Sequence, residues 1–179
     1  MIVVLTGPSG VGKSTIIKSI KKDTNIYFSI SSTTRPCRVT EIEGEDYFFI
    51  NNNKFNNLID NDLFIEYEEY GGYMYGTTKD QIDKISTHKA VVLDLEVNGA
   101  IKILNLYKNS IGIFIDIDND ELVKRLKSRG DTDNSFITKR IQLAEQQRLK
   151  IPHFKHYVVN TEINTTVNEI NDIIYNRIL

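Results

Sequence analysis

The residues with the clearest chemistry occupy positions 7–14, which read Gly-Pro-Ser-Gly-Val-Gly-Lys-Ser and match the pattern GxxxxGK[ST]. Glycines, which lack side chains, let the backbone wrap closely around a phosphate and present its N–H groups to it. In this pattern the lysine, here Lys13, reaches the β- and γ-phosphates of a nucleoside triphosphate, and the hydroxyl of Ser14 binds Mg²⁺. The segment therefore predicts a nucleotide site, but it does not say which reaction takes place there.

The loop also stands in the context that the pattern requires. An apolar run at residues 2–5 precedes it and suits a buried strand. After the loop, Ile16, Ile17 and Ile20 have helical spacing, so the N-terminus of a helix would bring partial positive charge to the phosphate. The alternative is a flexible glycine-serine turn that matches by chance, and it does not account for this agreement of strand, loop and helix.

A second set of anion-binding side chains follows further along the chain. Arg35 and Arg38 stand three residues apart in the stretch SSTTRPCRVTE. An arginine side chain grips phosphate with two hydrogen bonds and keeps its charge at any useful pH. Tyr47 and Tyr75 add neutral hydroxyl donors. Together the four residues predict a second phosphate site, separate from the loop; the alternative is a solvated basic turn with tyrosines in the core.

Apolar runs typical of buried parallel strands recur along the chain, with stretches of helical periodicity between them. The predicted strands are residues 2–5, 27–30, 90–95, 111–117 and 157–159. The predicted helices are residues 13–22, 99–106, 120–126 and a C-terminal stretch marked by Val167, Ile170, Ile173, Ile174 and Ile178. This alternation predicts an α/β fold, a parallel sheet with helices on both faces, in which ligands bind beyond the C-terminal ends of the strands.

Two segments interrupt the alternation. Residues 31–79 are polar and rich in Arg, Glu and Tyr, with little sign of a large core. Residues 121–147 hold Arg125, Arg129 and Arg140 around a Gly-Asp pair that breaks the helical pattern. Both segments are predicted to be inserts at the ligand-binding edge of one domain that spans residues 1–179, with a core formed by residues 1–30, 80–120 and 148–179.

The composition limits the possible partners and compartment. The formal net charge of −2 gives no electrostatic footprint for nucleic acid. No run approaches the roughly 20 apolar residues of a membrane span, and no signal peptide is visible, so we expect a cytoplasmic protein without membrane contact. The one cysteine, Cys37, allows no intramolecular disulfide and is predicted to be an incidental thiol in a reducing compartment.

Taken together, these motifs resemble the guanylate kinase family over nearly the whole chain. The most specific matches are the stretches SSTTRPCRVTE, GEDYFF, FIE, YGTT, LDLEVNGA and RLKSRG. The resemblance implies the reaction ATP + GMP → ADP + GDP with Mg²⁺. It also implies that residues 31–79 form a GMP-binding insert and that residues 121–147 form a mobile lid.

The resemblance further implies a role for individual residues. ATP contacts fall on Gly7, Pro8, Ser9, Gly10, Val11, Gly12, Lys13, Ser14, Thr15 and Asn160. GMP contacts fall on Ser31, Arg35, Arg38, Glu41, Tyr47, Glu66, Tyr75, Thr77 and Glu96, of which Ser31, Glu66, Thr77 and Glu96 would read the guanine. The catalytic cations would be Lys13, Arg35, Arg125, Arg129 and Arg140. Ser14 and Asp94 would hold the metal, although Asp94 could instead be a helix N-cap.

Guanine recognition by a carboxylate makes chemical sense. The N1–H and N2–H₂ groups of guanine are donors, so both can be accepted by Glu66, whereas adenine offers a lone pair at N1 and would leave the carboxylate unpaired. Glu96 departs from the Asp that many relatives have in this motif, so its guanine contact is less secure than that of Glu66. Few residues address the ribose, and use of dGMP besides GMP is expected.

Three other functions compete with this interpretation. A kinase of the same fold could act on another phosphorylated acceptor, which a panel of acceptors would reveal. A guanylate-kinase-like binding module would lack a working phosphate loop, yet Gly12, Lys13 and Ser14 are intact. A nucleic-acid-dependent ATPase would need a basic stripe that the chain does not have.

Overall fold

The computed structural model describes residues 1–20, 25–84, 87–128 and 133–178. Its strands are β1 (Ile2–Thr6), β2 (Ile26–Phe28), β3 (Ser32–Thr33), β4 (Phe48–Phe49), β5 (Phe64–Tyr70), β6 (Tyr73–Thr78), β7 (Ala90–Asp94), β8 (Ser110–Asp116) and β9 (His156–Val159). Its helices are α1 (Lys13–Ile20), α2 (Asn52–Asp60), α3 (Lys79–Asp83), α4 (Val97–Leu106), α5 (Asn119–Ser128), α6 (Asn134–Arg148) and α7 (Ile163–Ile178), with a short 3-10 helix at Ile151–His153.

The main sheet is parallel and has the strand order β2-β7-β1-β8-β9. All five predicted strands are present, with ends that differ from the prediction by one or two residues. The central strand β1 is buried along its whole length, as its unbroken apolar sequence predicts. Because side chains alternate along a strand, Val3 and Leu5 join one hydrophobic core while Ile2 and Val4 join another on the opposite face.

Helices cover both faces of the sheet, which confirms the predicted fold class. The first core contains buried residues of α1, α5, α6 and α7 with those of the sheet. The second core contains α4 together with Phe154 from the chain before β9. Leu122, Leu126 and Ile137 belong to the first core, so part of segment 121–147 packs on the main sheet.

A smaller sheet, with the order β4-β3-β6-β5, is built entirely within residues 31–79. Its β5–β6 hairpin is antiparallel and turns at Gly71-Gly72. On this hairpin and on α2, Phe55, Phe64 and Tyr67 form an aromatic cluster, with 4.5 Å between the ring centroids of Phe55 and Phe64. The segment therefore has a small aromatic core of its own. Its rings come from a helix and a strand and follow no single period, so the sequence pattern did not predict it.

Within the described ranges, no helix is long and apolar enough to cross a membrane.

Candidate active site

The phosphate loop connects the C-terminal end of β1 to the N-terminus of α1 at the central strand of the sheet. Gly7 has φ +135°, and a Cβ added there would lie 1.9 Å from the carbonyl oxygen of Ile115. Gly12 has φ +102°, and a Cβ there would lie 2.6 Å from Nδ2 of Asn160. Both positions therefore favour glycine, because their positive φ values are strained for other residues and a Cβ would clash with the backbone of Ile115 or the side chain of Asn160. The expectation of a tight loop between strand and helix is met.

Two side chains from distant segments hold the loop in place. The carbonyl oxygen of Val11 accepts hydrogen bonds from Nδ2 of Asn160 at 2.6 Å and from Nη1 of Arg125 at 3.0 Å. Nη2 of Arg125 also donates to the carbonyl oxygen of Asn160 at 3.1 Å. Asn160 is buried, and its Oδ1 has no hydrogen-bond partner among the described residues. The structure thus places the predicted ATP residue Asn160 and the predicted catalytic residue Arg125 directly against the phosphate loop.

Lys13, Ser14 and Asp94 meet at the same edge of the sheet. The ammonium of Lys13 donates to the carbonyl oxygen of Gly7 at 2.7 Å, across the loop. Asp94 ends β7, and its strand pairs with β1 so that Asp94 lies opposite Leu5. Burial raises the pKa of Asp94, and the nearby charge of Lys13 opposes that rise. The alternative prediction, that Asp94 is a helix N-cap, is wrong, because α4 begins at Val97 and its N-cap is Glu96.

The donor set at this edge suits a hard cation that arrives with a nucleotide. A serine hydroxyl and a carboxylate supply the oxygen ligands that Mg²⁺ prefers, and phosphate oxygens and water complete such a shell. No group of three or more His, Cys, Asp or Glu able to hold a metal occurs in the described parts of the chain. The residues present therefore fit Mg²⁺ bound together with phosphates rather than a metal held by protein ligands alone.

Arg35 and Arg38, which are predicted to bind the acceptor phosphate, lie in the loop that follows β3. Together with Tyr47 and Tyr75 they are called the acceptor cluster. Nη1 and Nη2 of Arg35 donate to the two carboxylate oxygens of Glu41 at 3.0 and 2.7 Å. Glu41 also accepts from the backbone N–H of Arg38 at 2.9 Å. Burial acts to raise the pKa of Glu41, but the hydrogen bonds from Arg35 and Arg38 outweigh it and the pKa is lowered. The side chain of Arg38 is 70% exposed, so Glu41 fixes the Arg38 backbone and leaves its guanidinium accessible to a ligand.

Tyrosine rings complete the acceptor cluster. The rings of Tyr47 and Tyr75 meet edge to face with centroids 6.0 Å apart, and Cζ of Arg35 lies 5.5 Å from the Tyr47 centroid. Burial acts to lower the pKa of Arg35. Hydrogen bonds with Glu41 and Tyr75 act in the opposite direction and outweigh it, so the pKa is raised above its ordinary value. Burial raises the pKa of Tyr47, and the carboxylate of Asp94 adds to this rise. The charge of Asp94 at the end of β7 therefore acts on the Tyr47 hydroxyl.

Arg140 lies on α6, with its Cζ 4.7 Å from the ring centroid of Phe136. Its pKa is lowered by burial first and then by the positive charge of Arg38. Two like charges from separate elements therefore converge on one region, an arrangement that a bound anion would stabilise. Lys18 of α1 and Asp46 of the acceptor segment form an ion pair at 3.4 Å. Arg129, the remaining predicted arginine, lies outside the described residues.

A buried hydrogen-bonded carboxylate marks the other end of the acceptor region. Glu66 is 4% exposed, and its Oε1 accepts from the backbone N–H of Thr77 at 2.9 Å. The hydroxyls of Ser31 and Thr77 are hydrogen-bonded at 3.0 Å. Burial raises the pKa of Glu66, and the hydrogen bonds from Thr77 oppose the rise. The structure thus brings together three of the residues predicted to read the guanine.

The fourth predicted base contact, Glu96, lies at the start of α4 and accepts a hydrogen bond from Nε2 of Gln147 at 2.9 Å. Sequence reasoning missed Gln147, because nothing local on α6 points to a partner 51 residues away. It also missed Glu68. That residue follows Glu66 by two positions on β5, and the period-2 rule for strands could have placed it on the same face. Burial first, and then the charges of Glu96 and Glu66, raise the pKa of Glu68 to about 7.

Cys37 lies in the acceptor loop, is exposed, and forms no disulfide. Its Sγ is 3.4 Å from the carbonyl oxygen of Arg38. These contacts assign it no chemical role.

Comparison with known proteins identifies the family. A sequence model of guanylate kinase matches residues 1–177. Guanylate kinase from Mycoplasma genitalium is 40% identical over 99% of this chain and 76% of its own length, and guanylate kinase from Prochlorococcus marinus is 38% identical over 97% of this chain and 96% of its own length. The crystal structure of guanylate kinase from Anaplasma phagocytophilum matches 100% of this chain and 86% of that chain with a TM-score of 0.84 and 27% identity.

A shikimate kinase from Aquifex aeolicus is 19% identical with a TM-score of 0.53, a likeness of fold alone. The match of the family over residues 1–177, together with relatives that are about 40% identical over almost the entire chain, is specific to one activity. The chain therefore belongs to the guanylate kinase family of nucleoside monophosphate kinases, enzymes that transfer a phosphoryl group from ATP to GMP.

Proposed function

We propose that the phosphate loop of this kinase holds the phosphates of ATP while the acceptor cluster of residues 31–79 holds GMP. The arrangement around Glu41 supports this assignment most directly, because its carboxylate holds the Arg35 side chain and the Arg38 backbone while the Arg38 guanidinium stays exposed to a phosphate. The ion pair between Lys18 of α1 and Asp46 supports it further, since it connects segment 31–79 to the helix that follows the phosphate loop. Arg35, Arg38, Tyr47 and Tyr75 bind the GMP phosphate, and Glu41 orients both arginines.

The chemical step is an in-line displacement. An oxygen of the GMP phosphate forms a bond to the γ-phosphorus of ATP, and the bond from that phosphorus to the bridging oxygen breaks, which leaves GDP and ADP. Lys13, Arg125, Arg129 and Arg140 supply positive charge at the phosphates, and no general base is required because positioning and neutralisation carry most of the catalysis. Mg²⁺, held through Ser14 and Asp94, supplies further neutralisation of the phosphate charge when bound.

Glu66, Ser31, Thr77 and Glu96 read the guanine. The backbone N–H of Thr77 donates to Oε1 of Glu66. The other carboxylate oxygen, Oε2, accepts hydrogen bonds from the guanine. Asn160 lies behind the phosphate loop, where its unpartnered Oδ1 can accept from an adenine amino group. None of the contacts among the described residues points to a side chain that would hydrogen-bond the ribose. We therefore expect dGMP to serve as an acceptor as well.

Segment 31–79 acts as a GMP-binding insert, and the part of segment 121–147 that does not pack on the main sheet acts as a lid. Closure of both segments over the nucleotides would exclude water, which otherwise competes as the acceptor and hydrolyses ATP. The substrates are nucleotides of the cell interior and Cys37 is a free thiol, so we infer a cytoplasmic location.

A coupled assay of ADP release tests the proposed substrates. The acceptors are GMP, dGMP, AMP, UMP and water, each with Mg²⁺ and with the chelator EDTA. We expect rapid turnover with GMP, measurable turnover with dGMP, and little with the others, all abolished by EDTA. Equal rates with AMP and GMP would contradict the assigned base site.

Replacement of Arg38 tests the assignment of the two phosphate sites. Arg38→Ala should raise the KM for GMP and lower kcat while changing the KM for ATP much less, because Arg38 lies in the acceptor loop. Arg38→Lys should rescue only part of the loss, since lysine cannot grip phosphate with two hydrogen bonds. An equal rise in both KM values would show that the two sites are assigned wrongly.

A further inference from the structure

One face of α6 carries two residues that the electrostatics and the hydrogen bonds relate to the acceptor region. Arg140 and Gln147 are seven residues apart, so they lie on the same side of the helix, two turns and about 10 Å apart along its axis. Arg140 is the residue whose charge meets that of Arg38 in the acceptor loop. Gln147 is the residue that donates to the carboxylate of Glu96 at 2.9 Å.

The surroundings of Gln147 indicate that its amide serves to hydrogen-bond Glu96. The residue is only 8% exposed, and its Oε1 is buried without a hydrogen-bond partner among the described residues. A buried acceptor that lacks a partner costs free energy, and an apolar side chain of the same length would avoid that cost. Among the residues that the structure describes, the Gln147 side chain forms one hydrogen bond, to Glu96. This bond also fixes the orientation of the amide, because only the NH₂ group can donate to a carboxylate.

A second contact joins the same two elements. The ammonium of Lys150, just beyond α6, donates to Oδ1 of Asn98 in the first turn of α4. The C-terminal end of α6 therefore has contacts that do not involve the Gln147 amide, including the pair of Arg148 with Asp116. The hydrogen bond from Gln147 to Glu96 is thus available for orienting the Glu96 side chain.

We propose that Gln147 is a positioning residue for guanine recognition, whose amide holds the Glu96 carboxylate in the orientation that accepts from the base. The inference rests on the proposed function, in which Glu96 contacts guanine. It adds that one helix face serves both ends of the acceptor, with Arg140 at the phosphate and Gln147 at the base. A loosened Glu96 would spread over several rotamers and lose the preorganisation that selective binding requires.

The test is a double-mutant cycle with Gln147→Met, Glu96→Ala and the pair, each assayed with GMP and AMP at saturating ATP. Methionine keeps the length of the side chain and removes its hydrogen bonds. We expect Gln147→Met to lower kcat/KM for GMP about tenfold, the usual scale for one hydrogen bond to a charged group. We expect the KM for ATP to change less than about twofold. The Tm should change little, because the gain from removing the orphaned acceptor opposes the loss of the hydrogen bond to Glu96. In the Glu96→Ala background, Gln147→Met should cause no further loss.

The matched control is Gln146→Leu, an exposed glutamine one position earlier on α6, which should leave every parameter unchanged. Gln147→Leu provides a second apolar variant should the methionine disturb folding. A loss of GMP efficiency that is as large with Glu96→Ala as without it would overturn the inference, as would an equal rise in the KM for ATP. A reduced GMP preference in Glu96→Ala but not in Gln147→Met would overturn the inference and leave the proposed function intact. An unchanged preference in Glu96→Ala would overturn the inference and the assignment of Glu96 to the base, while GMP remains the acceptor of the proposed function.

Discussion

Among single residues, Lys13 has the most direct bearing on the donor site. Its ammonium spans the phosphate loop to Gly7, a position from which it faces the charge that develops on the transferring phosphoryl group. We expect Lys13→Ala to lower kcat by about 10²–10³, the usual effect of removing one preorganised electrostatic contact. The Tm should hardly change. Rates come from the coupled ADP assay, with Lys124→Ala on the exposed side of α5 as the control. Activity within threefold of the parent would contradict the assignment.

In the proposed function, Glu66 is the residue on which the choice of base depends most. Its Oε1 already accepts from the Thr77 N–H, so in Glu66→Gln the amide oxygen will keep that bond and the NH₂ group will face the guanine. A donor would then oppose the donors of the base. We expect the preference for GMP over AMP, measured as the ratio of kcat/KM values, to fall tenfold or more, or about 1.4 kcal/mol.

Glu69→Gln is the control for this prediction, since Glu69 is exposed on the same strand and should show the parent ratio. If Glu66→Gln also keeps the parent ratio, Glu66 does not read the base and Glu96 becomes the leading candidate.

At the scale of elements, the contact between β5 and α4 shapes the base site. A Cβ added at Gly99 on α4 would lie 2.7 Å from Oε2 of Glu66. Gly99→Ala should therefore push the Glu66 carboxylate away from its position and raise the KM for GMP about tenfold, with the KM for ATP unchanged. The free energy of unfolding should rise, because alanine is favoured over glycine inside a helix by about 1 kcal/mol.

Two measurements separate these effects, steady-state kinetics and urea unfolding. Asn105→Ala, at an exposed position of the same helix, is the control and should leave the KM for GMP unchanged. An unchanged KM in Gly99→Ala would mean that Glu66 can shift without consequence for the acceptor.

At the scale of the whole molecule, a buried ion pair anchors α6 to the main sheet. Nε of Arg148 donates to Oδ2 of Asp116 at 2.8 Å, Nη2 donates to Oδ1 at 3.0 Å, and the side chain of Asp116 is 4% exposed. The carbonyl oxygen of Asp116 accepts from the backbone N–H of Asn160, so the pair also connects α6 to the segment behind the phosphate loop. The position of Arg140 and Gln147 therefore depends on an anchor at the end of their helix.

Arg148→Met leaves the Asp116 charge buried without its cation. We expect the free energy of unfolding in urea to fall by about 3–5 kcal/mol, the usual effect of breaking a buried pair. The double variant Arg148→Met with Asp116→Leu should recover most of this loss, because no uncompensated charge remains. A loss below about 1 kcal/mol in the single variant would show that the pair is not the anchor.

Much of the donor site follows from the sequence because its signals are local. The glycines, Lys13 and Ser14 lie within one short segment, and the apolar runs that form β1, β7 and β8 carry their own periodicity. The order of strand, loop and helix then places Lys13 at the sheet edge, because the C-terminal ends of parallel strands share that edge. The acceptor residues of segment 31–79 were identifiable through family motifs, although their aromatic core around Phe55 was not.

The sequence by itself determined the fold class, the phosphate loop and the family, because each depends on residue types at short, regular spacing. Only the tertiary structure decided which side chains meet. It joined Gln147 to Glu96, Arg148 to Asp116, and Arg125 to the carbonyl oxygen of Val11 across 114 positions of the chain. Such pairs have no sequence periodicity, because their contact depends on how α5 and α6 pack on the sheet and on burial that makes an unpaired polar group costly.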